Sequence, residues 1–407
     1  MKIVFLMEIF PKNMGYAGSM LPKYLARLGA EVHVVAMDLP LYHRMSDFDE
    51  TYGKFIDVSL LTSGTIIEEH EGYKIHILGH KKLFGYMKMI GLRKKLRTLQ
   101  PHIVQTFTTV GHIALDAALA KPLVGFKYFT GNHTTASVFP LANSRLPVWR
   151  RERVYNTLTR KLPGIFISFF AEKCYGATRD CAEVAVQFFG VPKRKIDISP
   201  LGVDTDIFWP ISRAEHYQKR NEIRSKFGFS NDEIVCIYTG RFSEDKNPLI
   251  LAKALALLMT RGEPFRGLFF GNGVQADVIR KTPGCVVHPF VAVSELGDLY
   301  RSADIGVWPT QESTSMLDAA ACGLPIVVND TLAAVERIEG NGITYKLNDI
   351  DDMMRALLSL RDPNERMRLG SSGAQRMLRH FSWEGLAKRR LRDYEAVLHR
   401  SGVESCR

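Results

Sequence analysis

The feature that most constrains this chain is an alternation, in two series, of short apolar runs with stretches of helical period. The first series holds "KIVFLME" (2–8), "EVHVVAMD" (31–38), "KIHILG" (74–79), "HIVQTF" (102–107) and "LVGFKYF" (123–129). The second holds "EIVCIYTG" (233–240), "RGLFFG" (266–271), "CVVHPF" (285–290), "IGVWP" (305–309) and "PIVVND" (325–330). Strands that alternate with helices pair in parallel, so each series predicts an α/β domain with a doubly wound, Rossmann-like sheet. Between them "VPKRKIDISPLGVDTDIFWP" (191–210) is rich in Pro, Gly and Asp, lacks helical period, and reads as a linker. A chain of 407 residues exceeds one ordinary core. The expected division is residues 1–200, residues 201–383, and a C-terminal helix within 384–407 packing back on the first domain. Two such domains facing each other would collect ligands in the cleft outside the carboxyl ends of their strands.

Chemistry concentrates in four places. In "PTQESTSMLDAAACGLPIVVND" (309–330) a helix is expected from about Ser313 to Cys322, ended by Gly323 and barred from continuing by Pro325. Its hydroxyls and acids then sit at a helix N-terminus, where unpaired amides attract anions, with Asp318 one turn in on the side of Thr314 and Ser315. Amides for a phosphate and a carboxylate for hydroxyls suit a phosphorylated sugar; a plainly capped helix is the equal alternative. In "YTGRFSEDKNP", Arg241 follows the strand-ending Gly240 and Lys246 comes five residues later. Two cations at the carboxyl edge of a sheet can hold a diphosphate, and an ion pair with Glu244 or Asp245 is the competing reading. The loop after the first strand carries Gly15 and Gly18 before a helix packing through Met20, Leu21, Tyr24, Leu25 and Leu28. It does not match G-x-G-x-x-G, which counts against a nicotinamide enzyme. His133, in a Gly-Asn-His-Thr turn, follows the last strand of the first series; a lone histidine is more often structural.

The charge balance of +11 is uneven. Seven basic residues and no acid fall in 81–97, including Lys94 and Lys95, and six basic residues and one acid in 145–161, including Arg150 and Arg151. The second segment interleaves them with Trp149, Val154, Tyr155 and Leu158, which suits an anionic membrane surface; a solvated helix face is the competing reading, and no nucleic-acid motif accompanies them. The opening "MKIVFLMEIFP" is broken by Glu8 and reads as a buried strand rather than a leader, and no apolar stretch reaches ~20 residues. Six cysteines without metal-ligand spacing point to reduced thiols and a cytoplasmic setting, peripheral to the membrane if the basic segments bind it.

The quoted motifs, with "LGVDTDIF" (201–208), "LFFGNGVQADVI" (268–279), "LGDLYRSADIGVWP" (296–309), "LDAAACGLP" (317–325) and "FSWE" (381–384), resemble the GT-B-fold retaining glycosyltransferases of family 4 (glycosyl transferases group 1). The resemblance runs nearly the whole length. It implies a hexosyltransferase that takes a sugar from a nucleoside diphosphate, with UDP or GDP the expected carrier, and passes it to a glycan or lipid-linked glycan in cell-surface polysaccharide assembly. Arg241 and Lys246 would bind the diphosphate, Asp318 the ribose, and the backbone of Ser313, Thr314, Ser315 and Met316 the phosphate and sugar. Gly15 would let the diphosphate approach the first domain, His133 would touch the donor sugar, and Phe290 and Val291 would meet the base. There are departures: the first acid of the family's E-x7-E motif falls on Thr310, so that either the nearest acid, Glu312, serves the donor-sugar hydroxyls or that contact is lost, and the second is Asp318 rather than Glu. With side-chain cations on the leaving phosphate no metal or other cofactor is required, and the D-x-D at 204–206 is out of place for one. Front-face retention is favoured because no carboxylate nucleophile is evident. A nucleotide-sugar epimerase and a non-catalytic nucleotide-sugar binder are the other readings; no nucleic-acid partner is expected.

Overall fold

The computed structural model describes residues 1–10, 14–39, 67–83, 85–142, 147, 149–310, 313–332 and 334–400. The chain divides into two compact units, with breaks between Leu201 and Gly202 and between Ser382 and Trp383.

The first unit is built on an eight-stranded sheet. Its strands are β1 (Lys2–Leu6), β2 (Glu31–Met37), β3 (Ile67–His70), β4 (Tyr73–Leu78), β7 (Ile103–Thr106), β8 (Lys127–Asn132), β9 (Lys173–Gly176) and β10 (Ile196–Ile198), while β5 (His80–Leu83) and β6 (Tyr86–Met89) form a separate hairpin. The order is β10-β9-β8-β7-β1-β2-β4-β3, parallel throughout except for β3 against β4. Both faces are covered. Helices Ala17–Arg27 and Trp383–His399 pack on each other and on one face through Leu21, Tyr24, Leu25, Trp383, Leu386 and Tyr394. On the other, Leu92 and Leu96, then Ile113, Ala114 and Ala117, then Ile167 fill the core. The strands are apolar on both sides because both faces are covered, as a buried parallel sheet requires.

The second unit holds β11 (Ile234–Thr239), β12 (Phe265–Phe270), β13 (Cys285–His288), β14 (Ile305–Trp308), β15 (Ile326–Asn329) and β16 (Gly342–Tyr345), all parallel, in the order β13-β12-β11-β14-β15-β16. This is the doubly wound order in which the chain reverses direction beside β11. One buried cluster ties the strands to what precedes them: Arg220 and Arg224 both reach Asp304, at 2.7 and 2.9 Å.

The α/β expectation holds, and every run named above contains a strand. The differences are local. Leu123 and Val124 finish the helix His112–Val124, which Gly125 closes at φ 92, so β8 begins only at Lys127. Gly18 lies inside the first turn of its helix rather than before it. Residues 191–210 are not a solvated linker: Ile196–Ile198 form an edge strand of the first sheet, while Val203, Asp204 and Phe208 are buried in the second unit. Arg301 holds that second part, stacking on Trp209 at 3.7 Å and donating to the carbonyls of Ile207 and Trp209. Irregular backbone of this kind is read as a linker because its hydrogen bonds are long-range and leave no period in the sequence.

Candidate functional site

In the second unit the chemistry gathers at the carboxyl ends of β11 and β14, the two neighbouring strands on either side of the chain reversal. After β11 the chain passes Gly240 and Arg241 and turns through Lys246 and Asn247 (φ 43) into the helix Pro248–Thr260, with proline at its first position. This loop is fixed against the one after β12. Gly240 donates to the Phe270 carbonyl at 3.0 Å, Phe242 to that of Asn272 at 2.8 Å, and Gln275 returns a bond to that of Phe242 at 3.0 Å. The approach is so close that a Cβ on Gly271 would stand 1.8 Å from the Gly240 carbonyl oxygen. The Tyr238 hydroxyl donates to the Arg241 carbonyl at 2.8 Å, so the backbone that aims Arg241 is held from both sides.

The Arg241 guanidinium bonds Asp245 at 3.1 Å, the ion pair that competed with diphosphate binding in the sequence. Burial would raise the Asp245 pKa, but the Ser243 hydroxyl, Arg241 and Lys246 more than offset it and hold the carboxyl below its usual range. Both cations thus face one anion already, an arrangement that keeps them together and that a more highly charged phosphate could displace.

After β14, Pro309 and Thr310 are tied down at three points. Asn329 donates to both carbonyls, Tyr345 donates to that of Pro309 at 2.7 Å, and the Thr310 hydroxyl donates to the Asp245 carbonyl at 2.6 Å. Thr310, at the position of the missing motif acid, therefore joins the two loops. Glu312 lies outside the described residues. The helix that follows is shorter than expected, Ser315–Ala321, because Thr314 serves as its N-cap and Ser313 as the turn before it. Gly323 at φ 86 closes it as expected. The Ser315 amide is taken by the Ser313 hydroxyl at 3.2 Å and the Met316 amide reaches the Ser313 carbonyl at 3.4 Å, while the Met316 side chain is buried core.

Asp318 is half-buried beneath this turn. Burial and, next, the carboxylate of Asp204 raise its pKa well above the ordinary value. Tyr300 lies in the same cluster: burial and then Asp318 raise its phenol, while its hydroxyl meets Thr239 at 2.7 Å. Asp204 and Tyr300 are the members that residue-by-residue reading missed as site neighbours. The quoted "LGVDTDIF" and "LGDLYRSADIGVWP" contained them, but only the fold sets them beside Asp318. Phe290 and Val291 sit half-buried two and three residues past β13, at the same sheet edge but two strands from β11.

In the first unit, Gly15 adopts φ 65 in the loop after β1. His133 follows β8 and is exposed, edge-on to Phe107 at 5.7 Å. It borders a pocket with Gln105, Tyr175, Trp383 and Arg390 that encloses only about 20 Å3, room for about one water and too small for a hexose. Lys94 is exposed and Lys95 half-buried on the helix Leu92–Leu99, whose Leu92, Leu96 and Leu99 face inward. Arg150 and Arg151 are exposed at the start of another helix, with Arg150 5.9 Å from the Trp149 ring. Among the described residues no group of three or more His, Cys, Asp or Glu is placed to hold a metal, and no helix is long and apolar enough to cross a membrane.

Two family models match: Glycosyltransferase Family 4 over residues 20–207 and Glycosyl transferases group 1 over residues 233–362, between them most of the chain. The chain belongs to glycosyltransferase family 4. Among its relatives, the D-inositol 3-phosphate glycosyltransferase of Xylanimonas cellulosilytica is 29% identical over 55% of this chain and 57% of its own. That of Rhodococcus erythropolis is 27% identical, over 57% and 56%. The chain thus spans a little over half the length of these curated relatives. Solved structures of the same fold include the sucrose-phosphate synthase of Thermosynechococcus elongatus (TM-score 0.71, 15% identity, 98% and 99% coverage). Anabaena HepE in complex with UDP is another (TM-score 0.69, 14% identity, 97% and 100% coverage). The fold is accordingly the α/β GT-B type.

Proposed function

We propose that the protein is a retaining hexosyltransferase that uses a nucleoside-diphosphate sugar. The observation that carries this is the placement of Arg241 and Lys246 after β11 and of Asp318 after its neighbour β14, at the strand ends where a doubly wound sheet binds its ligand. As the sugar leaves with oxocarbenium character, negative charge grows on the departing diphosphate. Arg241 and Lys246 stabilise that charge where it develops, a donor of this kind being worth ~3 kcal/mol of barrier. They exchange Asp245 for the phosphate oxygens. Asp318 accepts from, or when protonated donates to, the ribose hydroxyls. Front-face retention then has the leaving phosphate take the acceptor's proton, without metal or covalent intermediate. UDP and GDP are the carriers to test first.

For the acceptor we favour a glycan or lipid-linked glycan of the cell surface, presented on the cytoplasmic leaflet to which Lys94, Lys95, Arg150 and Arg151 would draw the enzyme. A phosphorylated polyol is the second reading, favoured by the names of the relatives at 27–29% identity. Vesicle co-sedimentation that persists after all four cations are neutralised would count against the membrane seat.

The deciding experiment is a thermal-shift panel of UDP, GDP, ADP, CMP and NAD on the protein and on Arg241→Ala. A ligand at about 100 times its Kd adds ~2.7 kcal/mol, a shift of a few degrees. A shift with one nucleoside diphosphate that Arg241→Ala loses supports the donor site; NAD alone, or none, sinks it. An epimerase is separated by conversion of donor without acceptor, and a passive binder by no donor turnover.

A further inference from the structure

The segment from Arg151 to Phe170 is one run of helix: Arg151–Asn156, a π-helical turn Thr157–Lys161, and Leu162–Phe170, with helical backbone across both junctions. Its inner side is fixed by Gly164, where a Cβ would stand 1.9 Å from the Phe189 carbonyl oxygen, and by buried Ile167 and Ser168. Its outer side is apolar. Tyr155, Leu158, Leu162, Ile165 and Phe169 recur at helical spacing and are 63, 60, 51, 48 and 79% exposed. Single exposed apolar residues are ordinary; a stripe of them down one helix marks a surface with a partner.

Beside the N-terminal half of this stripe runs an open groove of about 560 Å3, within the range of small-molecule sites. Phe139, Pro140 and Leu141, from the loop after β8, line it together with Tyr155, Phe139 being almost wholly buried, and Arg151 and Arg160 supply its cations, against one acid, Glu152. Arg160 lies 5.3 Å from the Phe139 ring, so its guanidinium is set over the apolar wall. Among the described residues neither Arg151 nor Arg160 is in an ion pair. Phe139 follows His133 by six residues, so the groove lies within about 20 Å of chain from that histidine.

An apolar trough bordered by two guanidiniums that make no ion pair among the described residues suits a long hydrocarbon chain with a phosphate at its end. The chain would lie on Leu141 and Tyr155, and the phosphate would take the forks of Arg151 and Arg160. We propose that this groove holds the lipid phosphate of a membrane-anchored acceptor, with the outer side of Leu162–Phe170 resting on the leaflet that supplies it. The assignment of the ligand as an acceptor rests on the transferase reading; the groove's affinity for the lipid phosphate does not.

The test is calorimetric titration of the full chain with dodecyl phosphate below its micellar concentration, beside inorganic phosphate and neutral dodecyl maltoside. Saturable binding of dodecyl phosphate, about 10-fold tighter than either control, is expected, weakened about 10-fold in Arg151→Gln/Arg160→Gln and in Leu141→Asp. Equal binding of inorganic phosphate, equal binding of the maltoside, or unchanged binding in the arginine variant each overturns the proposal. The arginines are exposed or half-exposed, so that variant folds even if Leu141→Asp does not, and its melting midpoint is checked first. Slow hydrolysis of donor by the unaltered protein is measured in parallel. Its absence counts against the transferase reading and leaves the binding result standing; hydrolysis without amphiphile binding overturns the groove alone.

Discussion

The guanidinium of Arg390 lies 3.3 Å from the centre of the Tyr175 ring and donates to the Gln105 side-chain oxygen at 2.6 Å. Tyr394 donates to the same oxygen and Arg390 also reaches the Ser199 hydroxyl at 2.7 Å. Two strands, β7 and β9, and the segment after β10 are thereby fastened to the C-terminal helix by one buried side chain. Arg390→Met keeps much of the stem's volume and removes the donors. It should cost about 2–4 kcal/mol, read as a lower midpoint in urea, because Gln105 is left buried and under-satisfied. An unchanged midpoint would mean that neither the donors nor the guanidinium stacking contributes more than a packed methionine does.

Gly271→Ala should be more damaging than a glycine substitution elsewhere. Its Cβ would strike the Gly240 carbonyl at a backbone that cannot yield without moving Arg241. A loss of about 3 kcal/mol or more is expected, together with loss of nucleoside diphosphate binding. Gly262→Ala, at φ +75 with nothing within 4 Å, supplies the comparison: only the backbone term of about 1 kcal/mol should appear.

Asp318 predicts a pH dependence. Its pKa in the fold is raised by burial and by Asp204, so the fold holds its proton more tightly than the unfolded chain. Stability from this group is full below the unfolded value near 3.8 and is lost as pH rises above it. Asp318→Asn removes the penalty and should melt a few degrees higher than the parent at pH 7, with the difference vanishing near pH 4. Its nucleoside diphosphate affinity should fall at the same time. Equal melting at pH 7 would show that the pair shares its charge with solvent.

Asp245 should act on affinity in the opposite sense. Because it occupies Arg241 at 3.1 Å, Asp245→Asn frees both cations for a phosphate. Titration with UDP or GDP at low salt should show binding tighter by roughly 3-fold, and the gain should shrink at high salt. Weaker binding would mean that Asp245 is needed to hold Arg241 in place.

Much of this was legible before the structure. Gly323 before Pro325 ends its helix through its own backbone preference and is found doing so, whereas Gly125 carries the same signal inside a run that reads as a strand. The strands that escaped, such as "KCYG" and "IDI", are three or four residues long and too short to show a period; they are strands because a neighbour pairs with them. The apolar outer face of Leu162–Phe170 left no separate mark in the sequence, since an apolar residue looks alike whether it faces a core or solvent.

The sequence by itself determined the order of strands and helices, the glycines and prolines that end them, and the family, because these are constraints acting over a few residues. Only the tertiary structure decided which loops meet. The order β13-β12-β11-β14-β15-β16 makes β14 a neighbour of β11, though about 65 residues separate them, and so hangs Thr310 on Asp245 and sets the helix of Asp318 beside the loop of Arg241. It likewise decided that Asp318 is an acid with a raised pKa, since that follows from Asp204 and from burial, and neither is written in the residues around it.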